Sequence, residues 1–119
     1  MDVVSIHDVA TEPLEMDMFT GKDVTIQEIL PDSEEFRINI VNFGKGIRNK
    51  LHSHSTEQIL IVTAGTGIVA TETQQQLVTV GDIIRIPAGQ RHWHGATEDS
   101  EFSHVYVMAR ESELVQIED

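Results

Sequence analysis

A chain of 119 residues is the size of one domain and long enough to bury a single hydrophobic core. It has no cysteine, which excludes disulfides, thiolate metal sites and a cysteine nucleophile. Twenty acidic residues against eight basic ones give a formal charge of -12, a surface that repels nucleic-acid phosphates and anionic lipid headgroups. Neither nucleic acid nor a membrane is an expected partner.

The chain opens on an acidic stretch where a secretory signal would carry basic residues and an apolar run. No apolar run approaches the roughly 20 residues of a membrane helix, so the cytoplasm is the expected location. His7 lies in this stretch and is expected to be solvated. From residue 24 onward, short runs rich in β-branched residues take over: 24–30, 36–43, 58–63, 67–73, 76–80, 82–86 and 102–108. Turn formers separate them at Pro31-Asp32-Ser33, Gly44-Lys45-Gly46, Ala64-Gly65-Thr66-Gly67, Gly81-Asp82 and Pro87-Ala88-Gly89. Apolar spacing of helical period is lacking, apart from a helical turn expected near residues 111–115. The fold class is therefore all-β, a sandwich or barrel of antiparallel strands. Its expected division is an N-terminal arm over 1–23, the barrel over 24–110 and an acidic tail over 111–119.

Five of the six histidines fall near these strands. His52 and His54 stand at i and i+2, so in a strand both imidazoles project from one face, about 7 Å apart along the chain. Two nitrogen donors side by side can converge on one ion. His92 and His94 form a second such pair behind a Pro-Ala-Gly turn, and His104 follows in Phe102-Ser103-His104-Val105-Tyr106. A strand over the last segment turns His104 inward together with Phe102 and Tyr106.

Two stretches resemble a known family. Gly46-Ile47-Arg48-Asn49-Lys50-Leu51-His52-Ser53-His54, followed by Gln58 and Gly65, resembles the first cupin motif. Gly81-Asp82-Ile83-Ile84-Arg85-Ile86-Pro87-Ala88-Gly89-Gln90-Arg91-His92 resembles the second. The resemblance implies a double-stranded β-helix, the jelly-roll barrel of cupins, with one divalent transition metal inside. Gln58 stands where most cupins carry glutamate, and Ala96 where the second motif often ends in asparagine. Glu57 is the poorer candidate ligand, because in a strand it faces away from Gln58. The pattern is similar to a subgroup of small single-barrel cupins that includes manganese-dependent hydroxynitrile lyases and relatives of carboxymuconolactone decarboxylases. That likeness implies His52, His54, Gln58 and His92 as metal ligands, manganese as the favoured ion, and His94 and His104 as pocket residues that are not ligands. An imidazole near neutral pKa suits proton transfer, so His94 and His104 are the candidate acid and base, with a core histidine bonded to backbone as the other reading of His104.

A carboxamide ligand leaves the ion's two charges uncancelled, which strengthens it as a Lewis acid and disfavours oxidation during turnover. Nitrogen and amide oxygen suit manganese, iron, cobalt, nickel or zinc, and argue against calcium. The expected function is a metal-dependent lyase acting on a small hydroxylated or carbonyl compound. Alternatives are an iron or manganese dioxygenase and a non-catalytic small-ligand-binding barrel. Ile38, Ile40, Leu60, Val62, Tyr106 and Met108 are the expected pocket walls. Arg48 and Arg91 are candidates for a substrate carboxylate or for surface ion pairs. With Gln58 inward, Ile59 and Ile61 face out, and an apolar outer face implies cover by a second subunit in a homodimer.

Overall fold

The computed structural model describes all residues, Met1–Asp119, and the chain is an antiparallel β fold with no α-helix. No helix is long and apolar enough to cross a membrane. Ten strands run in order: β1 (Glu12–Pro13), β2 (Val24–Ile29), β3 (Phe36–Phe43), β4 (His52–His54), β5 (Gln58–Thr71), β6 (Gln75–Thr79), β7 (Ile83–Ile86), β8 (His92–Ala96), β9 (Phe102–Ala109) and β10 (Leu114–Gln116). They form two sheets that share β5. The first half of β5 pairs with β7 and β9, and β9 continues through β3 and β2 to β1. The second half pairs with β6 and β8, and β8 leads through β4 to β10. The sheets curl into the jelly-roll barrel implied by the two motifs.

Sequence reasoning split β5 in two at Ala64-Gly65-Thr66-Gly67. The structure instead bends one long strand there, with a register shift between Val62 and Ala64. Gly65 makes the bend without a break because its φ of +72° lies in the left-handed region. A Cβ at this position would sit 1.7 Å from the Glu101 carbonyl oxygen, so only glycine lets the strand pass from one sheet to the other.

The helical turn expected near residues 111–115 is also replaced. A turn at Arg110–Glu111 sends the chain into β10, where Leu114 pairs with His54 and Gln116 with His52. At the other end β1 pairs with β2, and Phe19 bridges to Asn49. Both terminal segments are therefore stitched to the barrel by backbone hydrogen bonds.

The hydrophobic core is built from Val24, Val41, Phe43, Val62, Val78, Ala96 and Phe102. The inner face of the first sheet is a set of cross-strand rows. Val41, His104 and Val62 form one row, Asn39, Tyr106 and Leu60 the next, and Arg37, Met108 and Gln58 the last. On β3 this puts Arg37, Val41 and Phe43 on the cavity wall. Ile38 and Ile40, expected there, face the other way. Strand alternation allows only one of the two sets inside, and β3 turns its more polar set inward.

Candidate metal centre

Three imidazoles meet on the second sheet. His52 is paired across strands with His92, and His54 lies two residues along β4 from His52. All three are buried, with ring centroids 4.3 to 5.5 Å apart. Each can offer a nitrogen such that the three donor atoms lie within 4.8 Å of one another. Gln58 reaches the same cavity from the start of β5 and is buried too. Glu57 points outward to an ion pair with Arg85 at 2.9 Å, as alternation along β5 requires.

Hydrogen bonds fix two of the rings. His52 Nδ1 donates to the Lys50 carbonyl at 2.6 Å, and His92 Nδ1 donates to the Gln90 carbonyl at 2.9 Å. With Nδ1 carrying the proton, Nε2 of each ring is left with a free lone pair. Both ring nitrogens of His54, Nε2 of His92 and Oε1 of Gln58 are buried without a hydrogen-bond partner. Each such orphan costs about 1–3 kcal/mol unless something binds it. The three imidazoles, with donor atoms within 4.8 Å of one another, fit a divalent ion. His52, His54 and His92 could hold it, and the carboxamide oxygen adds a fourth donor of the right hardness for a first-row transition metal.

Electrostatics keep the donors ready. Burial draws His52 down to about 3, and the neighbouring His92 adds to the effect. His54 is drawn to about 4 by burial, with His92 and Arg37 adding. His92 is lowered by burial as well. Near pH 7 the rings are neutral, the form in which imidazole ligates a metal.

A second imidazole pair stands beside this cluster. His94 and His104 are fully enclosed, and His104 Nε2 lies 3.2 Å from His94 Nδ1. Asn49 clamps His94: its Oδ1 accepts the His94 backbone N–H at 2.8 Å, and its Nδ2 donates to Nε2 at 3.2 Å. With Nε2 accepting, the neutral His94 carries its proton on Nδ1 and donates to His104 Nε2. Burial lowers the pKa of both, that of His104 to about 4.

Sequence reasoning did not single out Asn49. It becomes visible only because residues 47–49 lie across β8, where Arg48 bridges to Gly95 and a Cβ on Gly95 would come within 2.4 Å of the Arg48 backbone. Arg48 and Arg91, the basic residues considered for a substrate carboxylate, are engaged elsewhere. Arg48 pairs with Glu118 at 2.9 Å and stacks on Trp93, while Arg91 faces Glu72 at 3.8 Å.

The cavity beside the imidazole cluster has a volume of about 260 Å³ and its walls are mostly apolar. Leu14, Ile26, Val41, Phe43, Met108 and Leu114 contribute, so segments near both chain ends help to wall it. A larger depression on the β6–β7 side is lined by His92 but by none of the other four imidazoles.

Residues 39–108, more than half the chain, match the family model described as the cupin domain. The chain belongs to the cupin family. Among characterised proteins this cupin is similar to an (R)-mandelonitrile lyase from Granulicella tundricola, with 31% identity over 113 residues covering 92% of this chain and 86% of that one. A cupin-like protein from Thermotoga maritima superposes with a TM-score of 0.78 at 28% identity, covering 98% of this cupin and 90% of its own chain. The polyketide cyclase RemF from Streptomyces resistomycificus has a TM-score of 0.87 at 17% identity, covering 98% and 85%, which is a likeness of fold alone.

Proposed function

We propose that this cupin is a metal-dependent lyase acting on a small hydroxylated or carbonyl compound, with His52, His54, Gln58 and His92 as the ligands and manganese as the favoured ion. The observation that carries the reading is the set of unpartnered buried donors on His54, Gln58 and His92, the first two lining a cavity that also contains a separate imidazole pair. The kinship with an (R)-mandelonitrile lyase supports the same class of chemistry. When bound, the ion supplies a Lewis acid that acidifies a substrate hydroxyl or polarises a carbonyl.

The protein's own residues do the rest. Splitting a cyanohydrin needs a base for the hydroxyl proton and an acid for the departing cyanide. The Nδ1–H of His94, held against Nε2 of His104, keeps one proton at the site, and Asn49 holds the ring in place. Accepting the hydroxyl proton uses the Nε2 lone pair of His94 in place of its hydrogen bond from Asn49, and the same nitrogen returns that proton to the departing cyanide. The apolar walls exclude water from the reacting carbon.

The test is cleavage of mandelonitrile, and of small β-hydroxy carbonyl compounds, by the manganese-loaded protein. Metal-dependent turnover is expected, and His94→Ala should lower kcat about 10²–10⁴-fold while leaving metal content unchanged. Absence of metal-dependent turnover on all such substrates, or oxygen uptake in their place, would remove the lyase reading.

We further propose a cytoplasmic homodimer. Ile59 and Ile61 are only half-buried, and Ile83, which pairs with Ile61, is 68% exposed in the single chain. Such an apolar outer face suits cover by a second copy. Light scattering at micromolar concentration should give twice the chain mass, and a monomer mass would refute the dimer.

A further inference from the structure

The cavity leading to the imidazole cluster contains one group that carries a fixed charge, and it is positive. Arg37 reaches in from β3, and no aspartate or glutamate lines the cavity, although the chain carries a formal charge of -12. Its guanidinium is held, not neutralised. Nε donates to the Arg110 carbonyl at 3.1 Å, and Nη2 donates to the Arg110 and Ser112 carbonyls at 2.7 Å each. Nη1 makes no hydrogen bond within the protein, and the ion pairs of the chain involve Arg48, Lys50, Arg85 and Arg91 instead.

The register places this cation beside the candidate ligands. Arg37 is opposite Met108 on β9, and Met108 is opposite Gln58 on β5. Two strand spacings, about 10 Å in all, separate the Arg37 and Gln58 backbones, a gap that a long side chain crosses easily. Arg37, His54 and Gln58 line the same cavity. An arginine fixed through two of its nitrogens, with a third donor free and no counter-ion, is built for an oxyanion.

We propose that Arg37 is a substrate-anchoring residue and that this cavity takes a small organic monocarboxylate, its carboxylate on the Arg37 guanidinium and its oxygenated carbon toward His52, His54 and Gln58. The placement of the oxygenated carbon rests on the metal-centre reading above; the carboxylate preference does not. One cation and otherwise apolar walls select a single negative charge on an apolar body. A cavity of about 260 Å³ keeps that body small.

The probes are mandelate and mandelamide, alike in shape and different in charge, titrated calorimetrically into the full chain, metal-free and manganese-loaded. Mandelate should bind at least tenfold more tightly than mandelamide in both forms, against the repulsion of the protein's net charge. Arg37→Met should erase the preference with metal content unchanged, and Arg37→Lys should keep part of it. Equal binding of the two probes by the wild-type protein, or a preference that survives in Arg37→Met, would overturn the proposal. Because Arg37 also ties down residues 110–112, Arg37→Met could fail to fold, in which case the wild-type comparison still decides. Absence of metal-dependent lyase turnover on every substrate named above, with the carboxylate preference intact, would remove the lyase reading and leave this one standing.

Discussion

His92→Ala should reduce turnover to background and weaken metal binding on the order of a hundredfold or more, with the barrel still folded. His92 is fully buried, its Nδ1–H is held by the Gln90 carbonyl, and its Nε2 has no partner inside the protein. Removing the ring takes away a donor that His52 and His54 cannot replace, since each already has a place in the cluster. Without metal, the same change also removes an unsatisfied buried nitrogen, so part of the cost of the lost packing is offset. Urea titrations of the two metal-free proteins should therefore differ less than a core truncation ordinarily costs, while titration with manganese separates them widely. Should His92→Ala retain metal and activity, the ion is not where the imidazoles meet.

The second large effect is acid sensitivity of the metal-free protein. His52 near 3, His54 near 4 and His104 near 4 all lie below the ordinary histidine value of 6.5. Below pH 6.5 the unfolded chain takes up protons at these positions while the folded chain does not. Their contribution is complete above about pH 6.5 and is lost as pH falls toward the folded values. Each histidine gives a slope of about 1.4 kcal/mol per pH unit, so the three together give about 4. Against a typical total of about 5–15 kcal/mol, a fall of two units removes a large share of the stability. Urea midpoints should drop steeply from pH 6.5 to 5, and added manganese should move the drop to lower pH by binding only the folded state. A flat profile from pH 7 to 4.5 would mean that these rings are not held neutral by burial.

Much of this was legible beforehand. The spacing of His52 and His54 puts two rings on one face, and residues 46–54 and 81–92 carry glycines and histidines in the register of a cupin, so the all-β barrel followed. The rest was hidden for physical reasons. Gly65 reads as a break because glycine usually ends a strand, yet here its left-handed φ carries β5 from one sheet to the other. Ile38 and Ile40 are more apolar than Arg37 and Asn39, so alternation alone aims the wrong set inward. A ligand cavity inverts the usual rule that the apolar set faces in. Asn49 matters through a contact 45 residues away in the chain, which no local pattern records. The closing segment looks like a solvated acidic tail, but β10 completes the sheet next to β4, and Leu114 walls the cavity.

The central claim is that three imidazoles and one carboxamide hold a single transition ion. Anomalous diffraction from crystals of tag-free protein grown with manganese tests it most directly. One strong peak per chain is expected, about 2.0–2.3 Å from Nε2 of His52 and His92, a ring nitrogen of His54 and Oε1 of Gln58. A peak coordinated by surface carboxylates, or a cluster that stays empty at saturating manganese and zinc alike, would contradict it.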